Sequence, residues 1–192
     1  MPEGDEAMVT NTRERRLWWR HLMSVLLFPV TVTVVVPALI VIPAGLRGPQ
    51  LGVTTTAGLM IVGSLLIAAG LGLLIWTVVL FDRVGEGTLG LGNVMGEPVH
   101  LVVRGPYRHV RNPMITGVLC ILLGEPAIAA SGSLLLWFAI FLTFQATAIR
   151  FWEEPHLAKR YGSEYVDYRR NVPRWIPRIS AWNVGRTGTS RC

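Results

Sequence analysis

The chain has 192 residues, of which 51% are hydrophobic and only 16% are charged. This composition is too apolar for a soluble protein of that length, and the apolar residues come in blocks rather than at amphipathic spacing, so it indicates one domain in a membrane. The net charge of +6 does not indicate nucleic acid, because the arginines stand beside apolar blocks, where they meet lipid head groups.

Two long apolar runs occupy the first half of the chain. Residues 22–44 form a run that is too long for a signal peptide and lacks a small-residue cleavage site, so it predicts a first membrane helix. Its three prolines predict kinks, which neighbouring helices can compensate in a membrane. Residues 54–81 predict a second membrane helix, whose glycines allow close contacts with another helix. These glycines are Gly58, Gly63, Gly70 and Gly72.

A polar central loop over residues 82–112 separates these helices from an apolar hairpin, residues 113–130 and 133–151. Glu153 and Glu154 then close the fourth predicted span. Beyond them, apolar side chains recur at intervals of four, four and three, which predicts an amphipathic helix interrupted by a glycine. They are Leu157, Tyr161, Tyr165 and Tyr168, with the interruption at Gly162. The tail after Ile179 is expected to be loose.

The distribution of basic residues predicts the orientation. Of the 18 lysines and arginines, only Arg47 lies in the loop between the first two spans. The positive-inside rule therefore places both termini and the central loop in the cytoplasm. The expected fold is all-α: an integral membrane bundle of about four helices with a cytoplasmic C-terminal amphipathic helix. Residues 1–81 hold the N-terminal segment and two membrane helices, and residues 82–192 hold the functional core, in one structural domain overall.

Two polar clusters are expected on the cytoplasmic face, residues 100–112 and residues 150–154. Arginines at such a position follow from topology alone. Glu153 and Glu154 do not, because acidic residues gain nothing beside anionic lipid, and so they are candidates for holding a cationic ligand. No histidine or cysteine spacing indicates a metal site.

Several motifs in the second half of the chain agree with one known family. Gly105-Pro106-Tyr107, then Arg111-Asn112-Pro113 and Gly117, followed by Glu153-Glu154-Pro155, Tyr161-Gly162 and Val172-Pro173-Arg174, stand in the family's order and spacing. Over roughly residues 100–178 the chain resembles the isoprenylcysteine carboxyl methyltransferases and their bacterial relatives, and it is also similar to phospholipid methyltransferases.

The resemblance implies a membrane-embedded methyltransferase that uses S-adenosylmethionine and acts on a lipophilic acceptor, either a prenylcysteine-like carboxylate or a lipid head group. It implies cofactor contacts along the central motif and at the paired acids. The residues concerned are His100, Leu101, Val102, Val103, Tyr107, Asn112, Pro113, Met114, Ile115, Glu153 and Glu154.

The chain departs from the family pattern at three functional positions. Asn112 and Ile115 stand where the family often has a histidine and a tyrosine, and Ile115 removes a hydroxyl from the cofactor site that the resemblance implies. Ile149 stands where prenylcysteine-using members have a substrate arginine, and Arg150 is adjacent. One residue along a helix is a rotation of about 100 degrees, so Arg150 is expected to point in a different direction from the family's arginine, which disfavours prenylcysteine as the acceptor. Arg150 and Arg174 are the candidates for holding an acceptor's negative group.

Two other functions stay open on the sequence. One is an NADPH-dependent membrane reductase of the sterol-reductase type, although its dinucleotide phosphates would favour basic residues over the paired acids. The other is a membrane protein that has kept the fold and lost catalysis, which the departures at Ile115 and Ile149 permit.

Overall fold

The computed structural model describes residues 27–44, 52–84, 101 and 103–183, and the regular structure in that part of the chain is entirely helical. The predicted all-α class is thereby confirmed for those residues, whereas the predicted site residues His100 and Val102 lie outside them. We number the helices α1 (residues 27–44), α2 (Val53–Val84), α3 (Pro113–Ala129), α4 (Gly132–Ala148) and α5 (Glu154–Asn171). Two π turns, Thr31–Val35 and Ile149–Glu153, interrupt the helical pattern, and Gly105–Arg108 forms a 3₁₀ turn.

Two of the helices are long and apolar enough to cross a membrane. They are Val53–Leu80 and the continuous stretch Gly132–Asn171, whose apolar part ends at Trp152, and shorter apolar helices cover Leu27–Pro43 and Pro113–Ala129. Large apolar side chains project outward from the helices, and Ile42 is 78% exposed. Such a surface suits lipid rather than water, so the fold is that of a helical membrane protein.

The tightest helix contact joins α2 to α3 through glycines. A Cβ atom on Gly70 would lie 2.5 Å from the carbonyl oxygen of Gly117, and one on Gly63 would lie 2.7 Å from that of Gly124. The two helices are antiparallel, so glycines seven residues apart on one helix meet glycines seven apart on the other. Small residues let the backbones approach this closely. Of the four glycines expected to make close contacts in α2, only these two do so, since a Cβ on Gly58 or Gly72 would meet nothing within 4 Å.

The π turn in α1 has a cause in the sequence. The amide of Val36 donates to the carbonyl of Thr31, and the next residue, Pro37, has no amide hydrogen to offer. The carbonyl of Val32 would be the acceptor for that missing hydrogen. It instead accepts the indole hydrogen of Trp137 in α4, with 3.3 Å between nitrogen and oxygen. The proline therefore creates a free acceptor that ties α1 to the hairpin.

The hairpin between α3 and α4 turns at one place. Ala130 adopts a left-handed conformation (φ 46), and the side chain of Ser131 caps α4. Pro126 lies inside α3, so it does not contribute a second turn. The apolar core of the bundle forms where α1, α3 and α4 meet. Its buried members are Val32, Val118, Leu122 and Phe141.

Candidate active site

A C-terminal strap, residues 172–183, runs antiparallel to the loop in front of α3. The amide of Arg111 donates to the carbonyl of Pro173, that of Arg178 to His109, and that of Trp182 to Arg108, at 2.9 to 3.0 Å. The imidazole Nδ1 of His109 lies 2.8 Å from the Arg178 carbonyl oxygen. A carbonyl can only accept, so Nδ1 carries the hydrogen. The expectation of a loose tail after Ile179 was wrong as far as residue 183, because these bonds fix the strap.

A buried ion cluster joins the loop, α5 and the strap. The Oε1 atom of Glu154 lies 2.7 Å from Nη1 of Arg111 and 2.7 Å from Nη2 of Arg174. Arg174 adds a second bond from Nε at 2.9 Å, and Arg169 approaches Oε2 at 3.8 Å. The Glu154 side chain is only 7% exposed. Several charge-assisted hydrogen bonds are what a buried carboxylate requires, so Glu154 is the anchor of this end of the bundle.

The π turn before α5 separates the two adjacent acids. The amide of Glu154 donates to the carbonyl of Ile149, five residues earlier. Ile149 and Glu154 consequently share the buried face, being 3% and 6% exposed, whereas Arg150 and Glu153 are exposed. Pro155 is the second residue after this π turn, and Pro37 is likewise the second residue after the π turn in α1. In both places the missing amide and the bulky ring favour a widened turn over a regular α-helix.

Three tyrosines pack beside the ion cluster. Tyr165 and Tyr168, both 3% exposed, form a core with Val172, which confirms the predicted apolar stripe of α5. The Tyr168 hydroxyl donates to the carbonyl of Tyr107 at 2.7 Å. Burial raises the pKa of Tyr107 well above its usual value, with Tyr168 and Glu153 contributing further, so its hydroxyl keeps its proton.

Glu153 itself is electrostatically unusual. Although it is exposed, loss of hydration raises the pKa of its carboxyl, and the neighbouring carboxylate of Glu154 raises it further. Arg111 and Arg174 act in the opposite direction. A cation bound at Glu153 would relieve both unfavourable effects.

The first turn of α3 has no side-chain cap from its N-cap residue. Asn112 occupies the N-cap position and Pro113 the first helical position, but the Asn112 side chain makes no capping hydrogen bond. The next two residues, Met114 and Ile115, are partly buried and belong to the predicted cofactor set. A helix N-terminus in this state favours an anionic group, because free amides and the helix dipole both point at it.

Gly105 positions the loop against α2. Its φ of +52 lies in the left-handed region, and a Cβ atom there would lie 3.3 Å from the Leu80 side chain and 3.5 Å from that of Trp76. Glycine satisfies both conditions, since it tolerates positive φ and needs no room for a side chain. The 3₁₀ turn that follows contains Tyr107.

An apolar groove of about 510 Å³ runs along the exposed face of α4 towards this site. Ala139, Ile140, Thr143, Phe144 and Thr147 line it. The hydroxyls of both threonines donate to carbonyls one turn earlier in the same helix. The groove is therefore apolar despite them, and Arg150 follows its last residue by less than one turn.

Two residues that hold this end of the bundle together were not among the predicted site residues. Arg111 was used only as part of a motif, yet it is the nearest partner of Glu154. Trp182 carried no signal at all, because its role depends on contacts with Arg108 and Tyr168 that are distant in sequence. Glu154 and Arg174, predicted for the cofactor and the acceptor, contact each other in this structure.

Helices with apolar outward surfaces, joined at one end by a polar cluster that contains two adjacent acids, define a helical membrane protein. The chain belongs to the phospholipid methyltransferase family, whose model matches residues 59–164. The expected family resemblance is thus confirmed.

One relative is Methanethiol S-methyltransferase 2 of Bradyrhizobium diazoefficiens, which is 39% identical over 75 residues. That alignment covers 39% of this chain and 28% of the relative, so the chain spans less than a third of the relative's length. No solved structure matches the chain.

Proposed function

We propose that this protein transfers a methyl group from S-adenosylmethionine to a lipophilic acceptor at the cytoplasmic face of the membrane. The observation that carries the proposal is the different placement of the two adjacent acids. Glu154 is buried and bonded to arginines, whereas the adjacent Glu153 is exposed. One carboxylate is thereby left available for a cationic ligand in a protein of a methyltransferase family.

S-adenosylmethionine carries two positive groups, the sulfonium and the α-ammonium, and one carboxylate. Glu153 would attract a positive group of the cofactor, and the start of α3 at Asn112, which has no side-chain cap, would receive the carboxylate through backbone amides. Leu101 and Val103 would supply apolar contacts. When bound, S-adenosylmethionine supplies an activated methyl group on a sulfonium. The protein's own contribution is to hold the reactants in line and exclude water.

The acceptor is proposed to lie along the groove of α4 with its reactive end near Arg150. Arg174 already holds Glu154, so Arg150 is the better candidate for meeting a negative group. A carboxylate acceptor is a nucleophile at neutral pH without a base, while a head-group amine or a thiol must first lose a proton. The printed name of the relative, a methanethiol S-methyltransferase, adds a small thiol to the acceptors worth testing.

The proposed topology keeps four spans with both termini in the cytoplasm, and α5 on that side of the membrane. The distribution of basic residues supports it, because only Arg47 lies on the other side. In this arrangement residues 1–81 anchor the chain and residues 82–192 carry the methyltransferase core. The site then faces the cytosolic cofactor pool, and the groove faces the lipid.

The test is a pair of measurements on the purified protein in lipid nanodiscs. Titration with S-adenosylmethionine and with NADPH is expected to give saturable binding of the first alone. Transfer of labelled methyl is then measured against membrane lipid extract, prenylcysteine analogues and small thiols, with heat-inactivated protein as the control. Binding of NADPH alone would favour the reductase alternative, and binding of neither would favour the non-catalytic one.

A further inference from the structure

The end of the strap lines a pocket that the family match does not reach. The matched region stops at residue 164, whereas Trp182 and Asn183 lie beyond it. An open pocket of about 410 Å³ brings these two residues to the loop before α3. Its other lining residues are Val103, Arg104, Gly105 and Arg108.

We propose that Trp182 and Asn183 form the wall that binds the adenine ring of the nucleoside cofactor. This inference rests on the proposed function, because Val103 in the same pocket belongs to the segment that family resemblance assigns to the cofactor. It adds a recognition element for the purine base, which no motif in the sequence supplies.

Trp182 is held in place before any ligand arrives. Its amide donates to the carbonyl of Arg108 at 3.0 Å, and its own carbonyl accepts from Nε of Arg108 at 2.9 Å. Its ring packs against Tyr168 with 5.7 Å between centroids. The side chain remains only partly buried, so part of the indole stays accessible. A fixed aromatic ring with an accessible portion loses little entropy when it binds a flat partner.

The lining chemistry suits adenine. Aromatic side chains stack on nucleobases, and Trp182 supplies such a ring, while Val103 supplies an apolar contact. The amide of Asn183 offers one donor and one acceptor, which matches the N6 amine and N7 of adenine. The exposed amide of Asn183 has room to turn towards such a ligand. Hypoxanthine, which has an oxygen in place of the amine, breaks that match.

The experiment measures binding of S-adenosylmethionine, adenosine and inosine to the full chain in nanodiscs. Trp182→Ala is expected to weaken S-adenosylmethionine and adenosine by about tenfold alike, and Trp182→Phe to restore most of the loss. Asn183→Ala is expected to reduce the preference for adenosine over inosine by about tenfold. Ile179→Ala, on a fully exposed residue of the same strap, is the matched control and should bind as the wild type does.

The outcomes separate this inference from the proposed function. One outcome is that the wild type binds S-adenosylmethionine and that both variants, Trp182→Ala and Asn183→Ala, bind each of the three probes as tightly as the wild type does. In that case the adenine wall is wrong and the proposed function stands. If Trp182→Ala does not fold, the test is the ratio of adenosine affinity to inosine affinity in Asn183→Ala. A ratio equal to that of the wild type would overturn the adenine wall. If the wild type binds no S-adenosylmethionine, both proposals are overturned. If inorganic phosphate displaces the cofactor and this displacement requires Arg104, the pocket is an anion site, and the adenine wall is also overturned.

Discussion

Arg111 and Glu154 are 43 residues apart in the sequence, yet Nη1 of one lies 2.7 Å from Oε1 of the other. Only 12% of the arginine side chain and 7% of the glutamate side chain are exposed. Because Arg174 binds the same oxygen, this contact fixes the loop, α5 and the strap relative to one another. The neighbouring Glu153 is therefore positioned by the contacts of Glu154 with these arginines.

We expect Glu154→Gln to lower the stability of the fold and Glu153→Gln to weaken binding of the cofactor. Glu154→Gln removes the buried charge that two partly buried arginines share, and breaking a buried pair costs about 3–5 kcal/mol. Its midpoint of thermal unfolding in detergent should fall clearly. Glu153→Gln should unfold at or slightly above the wild-type midpoint at neutral pH, because it removes a carboxylate whose ionised form the fold disfavours, but it should bind S-adenosylmethionine at least tenfold more weakly. Equal unfolding midpoints for the two variants would contradict the anchoring role of Glu154.

The raised pKa of Glu153 predicts a pH dependence of cofactor binding. Only the ionised carboxylate attracts a cation, so affinity should decline by up to tenfold per pH unit once the pH falls below this pKa. The decline should begin at a higher pH than the ordinary glutamate value of about 4.3, since loss of hydration raises the pKa. Glu153→Gln should remove the dependence. A wild-type affinity that stays flat down to the ordinary glutamate value would argue against this residue.

Folding stability should respond to Glu153 in the opposite direction. A carboxyl whose pKa is higher in the folded state holds its proton more tightly there than in the unfolded chain. Its contribution therefore favours folding as the pH falls and opposes it as the pH rises through the folded-state pKa. The difference in unfolding midpoint between the wild type and Glu153→Gln, followed across pH, measures this contribution. A difference that is constant with pH would contradict the shift.

The glycine contacts between α2 and α3 predict a sharp difference between two alanine substitutions. Gly70→Ala places a methyl group 2.5 Å from a backbone oxygen of α3, so the helices must separate, at a cost of about 1–3 kcal/mol. Gly72→Ala, two residues away with open space around it, should be neutral or slightly stabilising because alanine favours the helix. Thermal unfolding of both variants in the same detergent provides the measurement. Similar midpoints would show that α2 and α3 do not pack closely at Gly70.

Arg150 is predicted to act on the acceptor and not on the cofactor. Arg150→Ala should raise the KM for an anionic acceptor by about ten- to a hundredfold, because it removes a charge-assisted contact, and should leave S-adenosylmethionine affinity unchanged. Arg150→Lys should recover part of the loss. Arg170→Ala, on an exposed arginine at the far end of α5, is the control. An unchanged KM in Arg150→Ala would indicate an acceptor without negative charge, such as a neutral thiol.

The sequence by itself determined the main helices in the part of the chain that the structure describes. Blocks of apolar residues predicted α2 and α3 to within a few residues, because in lipid a chain must satisfy its backbone hydrogen bonds internally. The spacing of Tyr165 and Tyr168 predicted the buried face of α5. The motif residues around Tyr107 and Glu153 identified the polar end of the bundle, since their types and order match a family that the comparison confirms.

Only the tertiary structure decided which of the adjacent acids is buried. Neighbouring residues on a helix point about 100 degrees apart, so packing chooses between Glu153 and Glu154. Here the π turn before Pro155 and the arginines from the loop and the strap place Glu154 inside. The role of Trp182 likewise depends on the strap pairing with Arg108. No local pattern specifies such contacts, because they join residues that are close only after the chain has folded.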